Sequence, residues 1–251
     1  MATAIITSIT ENTIIMIDRE CSLSPLAFLR QQTWLSPAFP IGAYSYSHGI
    51  EWAVEAGQIR DRESLVDWLD ADLRYGSGRN EAIFFTEAWK CATSHDCEKL
   101  VEIAELAAAY RGTSEFALES SQQAASCLET FQKVWPDRFL GTLSEIVCQL
   151  RISPALSVVL GIRSGIQRIP STIALPAFLQ SYVANLVTAG TRLIPLGQTD
   201  GQLAIAELEK SVLAASAQAE EASIHEVGSA AFMLDLASAL HETQYTRLFR
   251  S

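Results

Sequence analysis

Apolar residues recur along this chain at three- and four-residue spacing between short breaks marked by Gly, Pro or polar residues, and strand-like alternation is nearly absent after the first twenty positions. The pattern predicts an all-α fold, a single-domain helical bundle of about ten helices. Leu65, Trp68, Leu69 and Leu73 share one face of a helix that Asp61 can cap and Gly76 can end. Further helices are expected from about Asn80 to Ala92, from Asp96 through Leu100, Ile103 and Leu106 to Arg111, and from Thr113 or Ser114 to the break at Pro136. Ser153 and Pro154 have the form of an N-cap and first-turn proline opening a helix to about Gly165. Pro170 and Pro176 punctuate the next, which reaches Leu193. Thr199 and Gln202 have capping-box spacing ahead of the apolar face Ile205, Leu208, Val212 and Ala215, and a last helix is expected over Ser223 to Leu240. Residues 1–24 read as a loosely ordered segment, 25–240 as the helical domain and 241–251 as an extended C-terminal tail.

Composition narrows the partners. With 49% hydrophobic residues, 251 positions are enough for a large core. A net charge of -11, from 18 Lys and Arg against 29 Asp and Glu, repels phosphate backbones and anionic lipid, so neither nucleic acid nor a membrane surface is expected as a partner. The apolar run from Ile173 to Leu196 is interrupted by Gln180, Ser181, Asn185 and Arg192, and no membrane span is expected. Residues 1–20 lack the layout of a signal peptide. Cys21, Cys91, Cys97, Cys127 and Cys148 form an odd, irregular set that suits free thiols in a reducing cytoplasm.

Several patterns approach catalytic or metal motifs without completing them. Gly76-Ser77-Gly78 lacks the Lys-Ser or Lys-Thr of a phosphate loop and reads as a helix end and turn. Ser45-Tyr46-Ser47-His48-Gly49 resembles a nucleophile elbow, but that motif needs a parallel sheet beneath it. Cys91, His95 and Cys97 are three possible soft ligands on a helix end and its connection, which is short of a metal site. His241-Glu242 begins like a zincin motif, yet Tyr245 stands where the second His belongs. The expectation is a chain without catalytic residues or an intrinsic metal site.

Two segments exceed what a plain bundle needs. From Ser36 to Glu51, Pro37, Pro40 and Gly42 forbid a continuous helix, while Phe39, Ile41, Tyr44 and Tyr46 are too aromatic for an ordinary solvated loop. A buried connector and a protein interface both fit. The ending, His241 to Ser251, sets Tyr245, Leu248 and Phe249 among Arg247 and Arg250, the residue types that anchor interfaces. Such a tail can fold back on its own core or dock onto a partner, and docking is the sharper expectation.

Together these segments resemble the UreF family of urease accessory proteins. The family's Ser-Pro, Pro, Gly, Ser-Tyr-Ser, Gly, Glu opening is matched by Ser36-Pro37, Pro40, Gly42, Ser45-Tyr46-Ser47, Gly49 and Glu51, with Tyr44 and His48 inside it. Its ending is matched by His241, Glu242, Tyr245, Arg247, Leu248, Phe249, Arg250 and Ser251, and its Arg, Pro, Gly-Gln signature by Arg192, Pro195, Gly197 and Gln198. The chain departs from the family pattern at Phe116-Ala117, Ala125 and Leu240. The resemblance implies a non-catalytic maturation factor, a homodimer that assembles with UreD (also called UreH) and the GTPase UreG on apo-urease. It further implies regulation of UreG hydrolysis, and nickel handled by the assembled complex, with no cofactor of the chain's own. The residues named in the three signatures are its expected partner-binding positions. A metallochaperone that carries nickel itself and a helical scaffold unrelated to urease are the competing readings.

Overall fold

The computed structural model describes residues 23–250, and the loosely ordered segment expected at 1–24 lies almost wholly outside them. Among the described residues the chain forms eleven α-helices, two short 3-10 turns and no strand. The helices are α1 (Pro25–Trp34), α2 (Ile50–Glu55), α3 (Arg62–Tyr75), α4 (Ser77–Ser94), α5 (Cys97–Ala109), α6 (Ser114–Val134), α7 (Arg138–Leu150), α8 (Leu156–Ile166), α9 (Ser171–Leu193), α10 (Gln198–Glu221) and α11 (Phe232–His241). The fold is all-α.

At the centre α4 and α8 lie against each other along their lengths. A Cβ at Gly161 would stand 2.4 Å from the Phe85 carbonyl oxygen and one at Gly165 2.8 Å from that of Trp89, so glycine at this four-residue spacing permits the contact. On one side α3, α9 and α10 pack on this pair; on the other lie α5, α6 and α7. Helices α2 and α11 pair with each other between α9 and α6, and α1 is tied by Arg30 and Gln31 to Gln167 and to the Ala174 carbonyl of α9. Apolar side chains from all these helices but α1's exposed face merge into one core.

The α3 cap forms as the sequence predicts, with Asp61 Oδ1 accepting from the Ser64 amide at 2.9 Å. Thr113 and Asp96 cap α6 and α5 in the same way. Five boundaries differ from the sequence reading. The second expected helix begins at Ser77 instead of Asn80, because Asp72 accepts the Gly78 amide at 3.2 Å and satisfies the helix start. Ser153 and Pro154 precede α8, whose N-cap is Ala155. Pro176 lies inside α9 and does not interrupt it. Helix α10 opens at Gln198, where Asp200 accepts from the Gly197 amide at 3.2 Å, and the Thr199 and Gln202 pairing is not used. The last helix is half as long as the Ser223 to Leu240 pattern suggests. There the Gly228 and Ala230 amides bond the Asn80 side chain and the Tyr75 carbonyl, at 2.9 and 2.8 Å, and so leave the helical ladder. Helices α1, α2 and α7 have no counterpart in the sequence reading.

Helix α9 is the one described helix long and apolar enough to cross a membrane, but half of that window is buried within the fold. Its Ala174, Leu175, Leu179, Val183 and Leu186 are core residues, and Ser181 and Asn185 bond the carbonyls of Leu35 and Ala43.

Candidate partner-docking site

The segment from Ser36 to Glu51 crosses the end of the bundle as a string of turns. Gly42 and Gly49 adopt left-handed backbone, with φ of 70° and 79°, as does His48 at 58°. Gly49 carries a second constraint, because its Cβ would stand 2.9 Å from the Ser238 amide nitrogen of α11. Beyond it the chain enters α2. Tyr46, Ser47, His48 and Glu51 are buried, whereas Pro37, Pro40 and Tyr44 are exposed. The segment is therefore a largely buried connector with an exposed rim.

Three signatures that lie far apart in sequence meet here. His241, fully buried at the end of α11, stands between two carboxylates: Nε2 is 3.0 Å from Glu51 Oε2, and Nδ1 is 2.6 Å from Glu115 Oε2 on α6. Both contacts are hydrogen bonds from the ring only when both ring nitrogens carry hydrogen. Glu51 also accepts the backbone amides of Leu248, at 2.6 Å, and Phe249, at 2.9 Å. On the second oxygen of Glu115 the Arg247 guanidinium donates at 2.5 Å. Two buried carboxylates thus gather four groups of the chain's last eleven residues.

Arg192 at the end of α9 closes the clamp from outside, donating to the Tyr44 carbonyl at 2.9 Å while its guanidinium lies 4.5 Å above the Phe249 ring. The Arg250 amide donates to the Ser45 carbonyl at 2.8 Å. Tyr46 donates to Gln122 Oε1 at 2.5 Å, and Arg250 Nη1 reaches that same oxygen at 3.5 Å. Burial raises the Tyr46 hydroxyl above its ordinary value, with the neighbouring Arg250 opposing. Glu242 accepts from the Ser114 amide and hydroxyl at the start of α6, at 3.2 and 2.6 Å. In the isolated chain the tail is folded back against its own core instead of extended.

The clamp turns other tail residues outward. Tyr245 is 100% exposed, and Leu248 is exposed even though its amide is held by Glu51. Phe232, Met233 and Leu240 are exposed along α11. Gln198, exposed in the first turn of α10, makes none of the clamp's hydrogen bonds and is not brought to this site.

A second network holds the middle of the segment. His48 Nδ1 faces Glu119 Oε2 at 3.1 Å, and Nε2 faces the Ser77 hydroxyl at 2.6 Å. Ser77 donates to Asp72 Oδ1 at 2.8 Å, and Tyr182 donates to Asp72 Oδ2 at 2.7 Å. The His48 ring is also stacked on Phe116 at 4.0 Å. Burial alone would lower the His48 imidazole; the Glu119 carboxylate, helped by Asp72 and Glu81, outweighs it and raises the group above its ordinary value. Ser77, His48 and Glu119 have the outline of a hydrolase triad, but the serine hydrogen goes to Asp72 and the histidine is the donor toward serine. This wiring fixes a turn and provides no general base.

Glu115, Glu119 and Gln122 on α6 and Tyr182 are partners that the sequence reading does not place at a site; Ser77 enters it only as part of a helix end and turn, and Asp72, which its helical spacing with Asp70 would put on a hydrated face, is 1% exposed. A signal was present: Glu115, Glu119 and Gln123 recur at four-residue spacing on the face of α6 that also holds Phe116, which is the wrong pattern for a solvated side. The Cys91, His95 and Cys97 group is spread from interior to surface. Cys91 is buried, its thiol pushed up to about 12 by that burial, while Cys97 and His95 are exposed. Among the described residues no three His, Cys, Asp or Glu side chains are grouped to hold a metal ion.

Comparison with known proteins gives one consistent result. A family model for UreF matches residues 59–209. The urease accessory protein UreF of Rhodopseudomonas palustris (strain TIE-1) is 45% identical over 238 residues, which cover 92% of this chain and 98% of that protein. Its counterpart in Bradyrhizobium sp. (strain BTAi1 / ATCC BAA-1182) is 45% identical over 226 residues, covering 90% of this chain and 92% of that protein.

Proposed function

Because the chain belongs to the UreF family of urease accessory proteins, we propose that it is a non-catalytic adaptor in urease maturation, which presents its clamped tail and α11 to UreD (UreH). In this reading the chain acts as a homodimer in the cytoplasm, and UreG joins the assembly on apo-urease. Nickel is passed within that complex without a resident ion on this chain, and hydrolysis by UreG is regulated by ordering its switch elements or by a supplied arginine.

One observation carries the reading: the segments that define the signatures are joined by a buried polar clamp, Glu51, Glu115 and His241, whose effect is to hold apolar side chains outward. Exposed Phe232, Met233, Tyr245 and Leu248 are of the residue types that fill partner pockets, and ordering them beforehand lowers the entropy cost of association. Arg247 is already engaged by Glu115, whereas Arg250 is tied by its amide to Ser45 and keeps its guanidinium exposed beside Gln122.

The test is genetic complementation. Expressed in cells lacking their own UreF, the chain restores nickel-dependent urease activity, and a version ending at Leu240 does not. Failure of the full chain to restore activity alongside its cognate partners, or full activity from the truncated chain, overturns the proposal.

A further inference from the structure

Helix α1 is held from one side only. Arg30 donates to the Gln167 side chain at 2.6 Å, Gln31 donates to the Ala174 carbonyl at 3.3 Å, and Ala27, Gln31 and Trp34 are buried. The opposite side carries Leu26, Phe28 and Leu29, which are 55%, 45% and 62% exposed. Gln32 and Thr33 continue that side without charge, and the one charged residue of the helix, Arg30, is already turned to Gln167. Three large apolar side chains within four positions, with no charge among them, suit a covered helix face and not a solvated one.

The chain itself supplies a matching segment. The described residues begin at Leu23, two positions before α1, so what precedes them starts at the edge of this face. Residues 14–17 read Ile-Ile-Met-Ile, Ile5, Ile6 and Ile9 come before them, and Glu11 is the single charged side chain in residues 5–17. Asp18, Arg19 and Glu20 open a polar link to α1, and residues 18–24 are enough for the chain to reverse, since helices in bundles are joined by about 2–8 residues. The helix to be covered is about 15 Å long, within reach of such a segment. Tethering also favours this occupant over a second copy, because a segment on a short flexible link is present at roughly millimolar effective concentration. By contrast, exposed Leu203 and Leu213 on α10 stand among Glu207, Glu209 and Lys210, a mixed surface suited to water.

We infer that the outward face of α1 is the docking surface for residues 5–17 of the same chain, with residues 14–17 seated over Leu26, Phe28 and Leu29. Seated there, the segment adds a layer over the helix whose Trp34 ring reaches Phe131 in the core. The face is closed to other proteins while the segment is docked and open to them when it is displaced. The inference does not depend on the partner reading, because the clamp is built on α2, α6 and α11.

A photo-crosslinker reads the occupant directly. In the full-length chain p-benzoylphenylalanine replaces Leu29, whose exposure makes the exchange compatible with folding; if that protein does not fold, Leu26 is replaced instead. Trypsin cuts after Arg19 and Arg30, so irradiation and digestion yield residues 1–19 joined to residues 20–30. In an equal mixture of ¹⁴N and ¹⁵N chains the joined peptides are both light or both heavy, because both come from one molecule. A tether alone brings the segment near, so docking is tested by Ile14→Ser, Ile15→Ser and Ile17→Ser together. They lower the yield about tenfold or more, as expected when three buried aliphatic side chains are lost. The inference is overturned by mixed light and heavy products, which indicate a second copy, or by crosslinks to other parts of the chain. It is equally overturned by no crosslink in the folded protein, or by an unchanged yield from the triple variant.

Discussion

Glu51 is the carboxylate that gathers most of the tail's donors. It is buried, and its two oxygens receive His241 Nε2 and the amides of Leu248 and Phe249. Glu51→Gln removes the charge that these donors share, at a cost of about 2–3 kcal/mol to tail docking. Hydrogen exchange should show the Leu248 and Phe249 amides losing protection while the α4 and α8 amides keep theirs. The two left-handed glycines give a matched comparison. A Cβ at Gly42 meets nothing within 4 Å, so Gly42→Ala costs only the backbone strain of about 1–2 kcal/mol. Gly49→Ala adds a collision with the Ser238 amide and should cost at least about 3 kcal/mol in a denaturant melt. His48 contributes a pH dependence. Its folded-state value is raised above the usual 6.5, chiefly by Glu119 working against burial. The stability it supplies is therefore complete below about 6.5 and is lost as pH rises through the folded-state value. Glu119→Gln should flatten that part of the stability profile, and an unchanged slope would exclude His48 as its source.

Among elements, those with amphipathic spacing and a capping residue were legible in the sequence. Helix α3, with Asp61 before it and Leu65, Leu69 and Leu73 within, is the clearest case. Boundaries set by distant groups were not. The early start of α4 depends on the Asp72 carboxylate, and the shortening of α11 depends on Asn80 and Tyr75, none of which local spacing reveals. Of the clamp, the Ser36 to Glu51 segment, Arg192 and the tail stand out in the sequence, but their meeting place on α6 does not: the four-residue spacing of Glu115 and Glu119 beside Phe116 signals a buried face without telling which groups it receives. Arg163 on α8 shows the same dependence on tertiary context. Its guanidinium donates to the Trp135 carbonyl at 3.0 Å and lies over the Trp34 and Phe131 rings, tying α8 to the end of α6 and to α1. Burial lowers this group to about 10. Arg163→Ala should cost about 2–4 kcal/mol through the cavity and the abandoned carbonyl. Arg163→Met, which fills most of the volume and removes the buried charge, should cost less in the same melt.

At the scale of the whole molecule, polar groups that would otherwise be expensive to bury are spent on joining the two ends of the bundle's chain at one place. The tail is neither a free arm nor an ordinary final helix: His241, Arg247 and the Leu248 and Phe249 amides bond Glu51 and Glu115, the Phe249 ring is buried beneath Arg192, and the Tyr245 and Leu248 side chains face outward. That division is the central claim, and Tyr245→Ala with Leu248→Ala tests it, since neither side chain contributes to the clamp. The measurement is the yield of UreD co-purified with the double variant relative to the unchanged chain, at equal amounts of folded protein. The account predicts an unchanged melting temperature with at least a tenfold loss of retained UreD; full retention of UreD by the folded double variant would contradict it.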